Sequence, residues 1–524
     1  MPDLLVVGTL HTMDPSRPRA GAALMRDGKF VRVGTREECE ADARPDLKFI
    51  ELGEGCAVPG LIDAHGHPLL HGRMLAEVRL SGARSEQECV ERVHRYSQFV
   101  PSGEWIRGAG WDQNLWPARD FPGRELLSAA TPQHPAALSR VDVHALWCND
   151  LALQMARIDK HTADPPGGRI LRSDDGSPTG VLIDTAMDLV RRAIPPPLPR
   201  EAEATLLRSV QALTAAGLTS VHDAAAGPEV LAAWRRLAER DALPLRIYAM
   251  IDGQGTDMDE RMREWRETPV LGRLTVRAVK LFADGALGSR GAAMFEAYED
   301  EPGNTGLWLM DPRELEDRIQ RIAAAGFQPC VHCIGDQACA LVLQMFAKVP
   351  RDLRPRAEHL QVLRARDVPL LKRSGAIASM QPTHATSDAP WAEARLGHGT
   401  ERQRGAYAWR QALEAGVPLA FGSDFPVEGI DPREGLKSAV SRKSAGGVVW
   451  MPEQRLTRLE ALHAFTAGAA YAEFEEGRRG LIREGFDADL TVFAKDILEV
   501  HVDELTQVAV QATVVGGHVE HAGP

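Results

Sequence analysis

Along residues 1–57, apolar and polar positions alternate in short runs, LLVVG, AALMRDGKFVRVG and KFIELG, broken by Asp-Gly and Gly signals typical of hairpins in a small sheet. Residues 475–524 have the same texture, with GLIREGFDADLTVFAKD followed by VAVQATVVGGHVE and a Gly-Gly turn. Two β-rich ends around one large middle predict a composite β-sandwich domain built from both termini. The middle reads differently. Apolar runs at 58–63, 218–224, 244–251, 274–285, 327–335, 356–361, 376–382 and 418–424 are separated by amphipathic stretches such as EVLAAWRRLAERDA, PRELEDRIQRIAAAG, QACALVLQMFAKV and AYAWRQALEAG. Several of these helices are followed by the glycine that stops a helix. Eight strand-helix units predict a (β/α)8 barrel, in which chemistry is placed at the C-terminal ends of the strands.

One interval breaks this rhythm, because residues 64–217 separate the first barrel strand from the second. A connection that long is an inserted subdomain rather than a loop. Leaving from the catalytic end of the first strand, it is expected to act as a lid over the barrel mouth. The predicted organisation is an α/β protein in three parts: 1–57 with 475–524 as the composite β-sandwich, 58–84 with 200–474 as a distorted TIM barrel, and 85–199 as the insertion.

Composition narrows the function classes. With 44% hydrophobic and 26% charged residues among 524, the chain can bury a large core. Its net charge of -12 comes with basic residues scattered rather than striped, which argues against a nucleic-acid partner. No apolar run approaches bilayer-spanning length and the first residues do not read as a secretion signal, so no membrane partner and a cytoplasmic location are expected. Seven cysteines, an odd number and few for this length, fit reduced thiols. Cys330 and Cys333 form an isolated CVHC, read as small core residues in preference to half of a structural zinc or redox site.

Candidate chemistry gathers at predicted strand ends. In GLIDAHGHP, His65 and His67 stand two residues apart, so an extended chain aims both at one point. Lys280 lies in strand four, His332 ends strand five, His359 ends strand six and Asp424 ends strand eight. Any one of them alone is more simply a hydrogen-bonded core, loop or cap residue. Together they read as a hydrolytic metal centre. Lys280 has a competing reading as an ion-pair partner of Asp284 or of another acid. Glu358 and Arg356 are candidates to orient a ligand, although strict alternation points Glu358 away from His359, which leaves a structural pairing equally open. Asp223 and His384 are candidates for the mouth of the site. Asp142, His144, Trp111 and Trp391 are candidates for a substrate pocket, with packing as the competing reading for the aromatics.

The motifs GLIDAHGHP, VKLFADGALGSRGA, VHCIGDQA, RAEHLQ, AFGSDFPV and GLIREGFDADLTVF, spread over nearly the whole chain, resemble those of the metal-dependent amidohydrolase superfamily. The resemblance is strongest to its amidohydrolase-3, YtcJ-like branch. It implies one or two divalent ions, zinc by preference, with His65, His67, Lys280 and Asp424 on one and Lys280, His332 and His359 on the other. It further implies that Lys280 is N-carboxylated and bridges the ions. Asp424 would be the general base and acid for a metal-activated hydroxide. The implied reaction is hydrolysis of a non-peptide carbon-nitrogen bond in a small amide or N-substituted formamide. A deaminase or a hydrolase of lactones or cyclic amides is the alternative on the same site. A non-catalytic scaffold fits poorly, since every ligand type is present. Barrels of this kind often pair, which makes a homodimer an expectation.

Overall fold

The computed structural model describes residues 2–140, 145–195, 199–266 and 270–523. It divides into two compact units, Met1–Leu69 with Leu206–Pro524, and Leu70–Thr205. Among the described residues no helix is long and apolar enough to cross a membrane.

In the larger unit, eight parallel strands follow one another around a nearly closed sheet: Leu61–Gly66, Leu218–Ala226, Arg246–Asp252, Leu274–Phe282, Gln328–Cys333, Arg356–His359, Ile377–Met380 and Leu419–Phe421. The seam between the last and the first strand is closed by few bonds. Gly66 bridges Phe425, and the Asp424 N–H donates to the His65 carbonyl at 2.7 Å. The result is a distorted TIM barrel. Its helices are amphipathic in the expected way. In Pro312–Ala324, Asp311 caps the N-terminus, Pro312 follows at the first turn, and Leu315, Ile319 and Ile322 are buried on one face.

The two chain ends share one seven-stranded sheet in the order His518–Ala522, Val510–Val515, Leu490–Phe493, Leu47–Pro59, Asp3–His11, Arg19–Arg26, Lys29–Gly34. Here the structure refines the first barrel strand. The apolar run read as 58–63 is split at Gly60, with Val58 and Pro59 pairing in the terminal sheet and Leu61 onward in the barrel. A side chain at Gly60 would fall 2.2 Å from the Thr219 hydroxyl, so the chain passes between sheets at a point with no room for one.

The smaller unit is a six-stranded sheet, Gly168–Arg172, Pro178–Asp184, Ala145–Cys148, Ala136–Arg140, Ile106–Trp111 and Val78–Arg79, packed with helices such as Glu86–Ser97 and Arg124–Ala130. Its core holds Trp111, Trp116 and Trp147 in mutual contact. All seven cysteines are buried and free. Cys330 packs inside the barrel with Tyr248, Met250 and Ala278, the small core role read for it.

Candidate metal centre

Alternation along the first barrel strand puts Asp63 and His65 on the inner face, while Ile62 and Ala64 pack outward in a cluster with the Ala467–Ala472 helix, Ile377 of strand seven and Ala420 of strand eight. Asp63 accepts from the backbone N–H of His65 and of Ser423 and from the Ser423 hydroxyl at 2.7 Å. That carboxylate ties the histidine strand to the Asp424 loop. His67 Nε2 then lies 3.1 Å from Asp424 Oδ1 and His65 Nε2 lies 3.6 Å from it. His65, His67 and Asp424 form one group able to hold an ion, and His359, His384 and Asp424 form a second. The rings of His332 and His359 are 4.6 Å apart, those of His65 and His359 4.7 Å and those of His359 and His384 6.1 Å, so four of the histidines share one small volume, with His67 5.6 Å from His65 at its edge.

Lys280 reaches the same region from strand four, fully buried, with its Nζ 4.0 Å from the Phe282 ring centre. Asp284, the competing partner, is engaged elsewhere. Its carboxylate accepts from the backbone N–H groups of Ala293, Ile334 and Gly335, and burial pushes its pKa up to about 7. Lys280 Nζ, His65 Nε2, His332 Nε2 and His384 Nε2 are all buried with no hydrogen-bond partner. Leaving several such atoms unpaired in one spot is costly, which a cation offsets for any that present a lone pair.

The electrostatics favour the ligand forms. Burial, with Lys280 adding to it, lowers His65 to about 4 and His332 to about 3, and burial with the neighbouring imidazoles holds His359 well below the usual imidazole range. Burial alone would raise Asp424, but the His67 hydrogen bond and the surrounding histidines hold it well below the usual carboxylate range. Lys280 is shifted toward its neutral amine by burial.

Hydrogen bonds at the other ring nitrogen separate the histidines by role. His65 Nδ1 donates to Glu358 at 2.6 Å and His359 Nδ1 to Gln381 Oε1 at 2.9 Å, which leaves each Nε2 lone pair free for an ion. His384 is the reverse. Gln361 Nε2 donates to its Nδ1 at 3.1 Å, so the neutral ring carries its proton on Nε2, 3.6 Å from Asp424 Oδ2. Read from the sequence as a residue of the mouth, His384 stands inside the cluster, and in this tautomer it offers no ligand atom, which leaves His359 and Asp424 of that second group.

Glu358 corrects the alternation argument. His359 and Leu360 have φ of 70° and 44°, and this left-handed turn lets both Glu358 and His359 reach the centre. Asp424, with φ of 62°, is turned in the same way. Asp223 is buried and accepts from the Trp234 indole at 2.7 Å. Trp391 stacks under Arg395 and lies against Gly288. Trp111 is corrected to a packing residue: it is wholly buried in the smaller unit and its indole N–H is given to the Leu138 carbonyl. Asp142 and His144 lie outside the described residues.

The family profile described as "Amidohydrolase family" matches residues 48–521. The putative amidohydrolase YtcJ of Bacillus subtilis is 31% identical over 523 residues, covering 98% of this chain and 98% of its own length. An N-substituted formamide deformylase of Arthrobacter pascens is 27% identical over 542 residues, covering 99% of this chain and 98% of its own. The crystal structure of an uncharacterized metal-dependent hydrolase from Pyrococcus furiosus superposes with a TM-score of 0.80 at 26% identity, over 95% of this chain and 100% of that one.

Proposed function

The chain belongs to the amidohydrolase family, and from that premise we propose that this hydrolase cleaves a non-peptide carbon-nitrogen bond in a small N-substituted amide, with formamides favoured. The observation that carries the reading is the set of buried unpaired Nε2 and Nζ atoms facing one ionised carboxylate. His65, His67, Lys280 and Asp424 would hold one divalent ion, and Lys280, His332 and His359 a second. A divalent ion there, for which zinc suits the mix of imidazole and oxygen donors, supplies a Lewis acid that polarises a carbonyl and makes water acidic enough to ionise near neutrality.

The rest falls to the chain. Asp424 stays ionised, accepts the proton of the attacking water and returns it to the leaving nitrogen. His384, with its proton on Nε2, stands beside that path at 3.6 Å from Asp424 Oδ2. Lys280, shifted toward its neutral amine by burial, would add carbon dioxide with loss of a proton to become a carbamate, turning a would-be cation into an anionic oxygen ligand. The likeness to a formamide deformylase supports the substrate class.

A product assay by mass spectrometry on N-formyl, N-acyl and cyclic amides, run with zinc and again after chelation, tests this. Formate released only with metal present is the expected result. Turnover confined to other electrophiles, or insensitive to chelation, overturns the substrate reading.

A further inference from the structure

Below the histidines the barrel interior is ionic. Arg356 and Glu358, both at zero exposure, lie on the inner face of strand six. Glu358 Oε2 accepts from His65 Nδ1 at 2.6 Å and from Arg356 Nη2 at 3.3 Å, and its Oε1 lies 2.7 Å from Arg356 Nε. Arg356 does more than neutralise it. Nη2 also donates to the carbonyl of Ala64 at 2.6 Å and to the Ser379 hydroxyl at 3.0 Å, while Nη1 meets His222 Nδ1 at 2.8 Å. One guanidinium therefore grips the backbone just before His65, the carboxylate that holds the His65 ring, and strands two and seven.

We propose that Glu358 is a positioning residue for the ion bound through His65, and that Arg356 fixes it in that task. The inference rests on the reading of this site as a metal centre. Two arguments carry it. A fully buried ion pair is weak evidence for stability, because desolvation of both charges offsets most of their attraction, so its place against a ligand calls for another reason. The contact also has the right chemistry. A carboxylate on Nδ1–H fixes the tautomer, holds the ring plane and raises the electron density at Nε2. His359 has only a neutral amide in the same place, so the two ligands are tuned differently.

The test is metal affinity, read without turnover. Full-length protein stripped of metal is titrated with zinc against a chromophoric chelator, and with cobalt to record its visible spectrum, for wild type, Glu358→Gln and Glu358→Asp. Glu358→Gln keeps the shape and removes the charge, whereas Glu358→Asp keeps the charge and withdraws it by one methylene. The expected result is a zinc dissociation constant raised about 10- to 100-fold in Glu358→Gln with a shifted cobalt spectrum, and a smaller loss in Glu358→Asp. Should Glu358→Gln not fold, weakened zinc binding in Glu358→Asp decides in favour and unchanged binding against. Zinc affinity within about twofold of wild type and an unchanged cobalt spectrum in the folded variants overturn the positioning role while leaving the metal centre standing. Wild-type protein that binds neither ion overturns both.

Discussion

At the scale of single residues, the site is specified by which nitrogen of each imidazole is already spoken for. Glu358 and Gln381 take Nδ1–H of His65 and His359, whereas Gln361 donates to Nδ1 of His384. Proton handling in the proposed reaction then concentrates on Asp424. Asp424→Asn, which keeps size but cannot accept the proton, is expected to lower kcat by about 10²- to 10⁴-fold with a much smaller change in KM, measured by steady-state kinetics on whichever amide is turned over. His65, His67, Lys280 and Asp424 were legible in the sequence because strand ends of a barrel converge, so residue type and strand position sufficed. Glu358 was legible only as one of two candidates to orient a ligand, with a structural pairing equally open, because the left-handed turn at His359 that brings both residues to the centre is something strand periodicity cannot express. Trp111 misled for the opposite reason: spacing is the same whether an indole packs or recognises, and only burial distinguishes the two.

At the scale of elements, the seam between the first and eighth barrel strands is the delicate part. Asp63 bridges it, and Gly422 lies so close that a side chain there would meet the His65 backbone nitrogen at 2.4 Å and Asp63 Oδ1 at 2.7 Å. Gly422→Ala should force the seam apart and cost about 1–3 kcal/mol in denaturant unfolding, together with loss of bound metal per chain measured by elemental analysis. Native-like stability with full metal content would mean that the seam yields without effect. Most of the eight strands could be read from their apolar runs, since strands buried on both faces are nearly continuous in hydrophobicity, whereas Arg356–His359 carries a single apolar residue, Ala357. What could not be read was where one sheet hands over to another. Residues 58–63 look like one strand because each half is apolar, and the division at Gly60 is set by the approach of Thr219, over 150 residues away in sequence.

At the scale of the molecule, buried charges continue from the barrel floor into the terminal sheet. His222 lies 3.4 Å from Glu473, Glu473 3.3 Å from Arg479, and Arg479 3.0 Å from Asp487, which also pairs with Lys29 at 2.5 Å. Burial would raise Glu473, yet Arg479 and His222 outweigh it and bring it down to about 2. Its folded value is thus below the roughly 4.3 of an unfolded glutamate, so its stabilising contribution is complete above that pH and fades as pH falls toward about 2. Glu473→Gln should therefore lower stability near neutrality by about 3 kcal/mol and flatten the loss of stability between about pH 4 and 2, followed by urea unfolding at each pH. An unchanged acid limb would assign that sensitivity to other carboxylates. The terminal sheet has a further consequence, for synthesis. Strand Leu47–Pro59 pairs on one side with Asp3–His11 and on the other with Leu490–Phe493. At roughly 5–20 residues per second, the ribosome takes on the order of 20–90 s to supply that second partner. Throughout that time the nascent chain carries an open, apolar strand edge of the kind that recruits chaperones, and a chain stopped short of residue 490 would carry it permanently, marking itself for degradation.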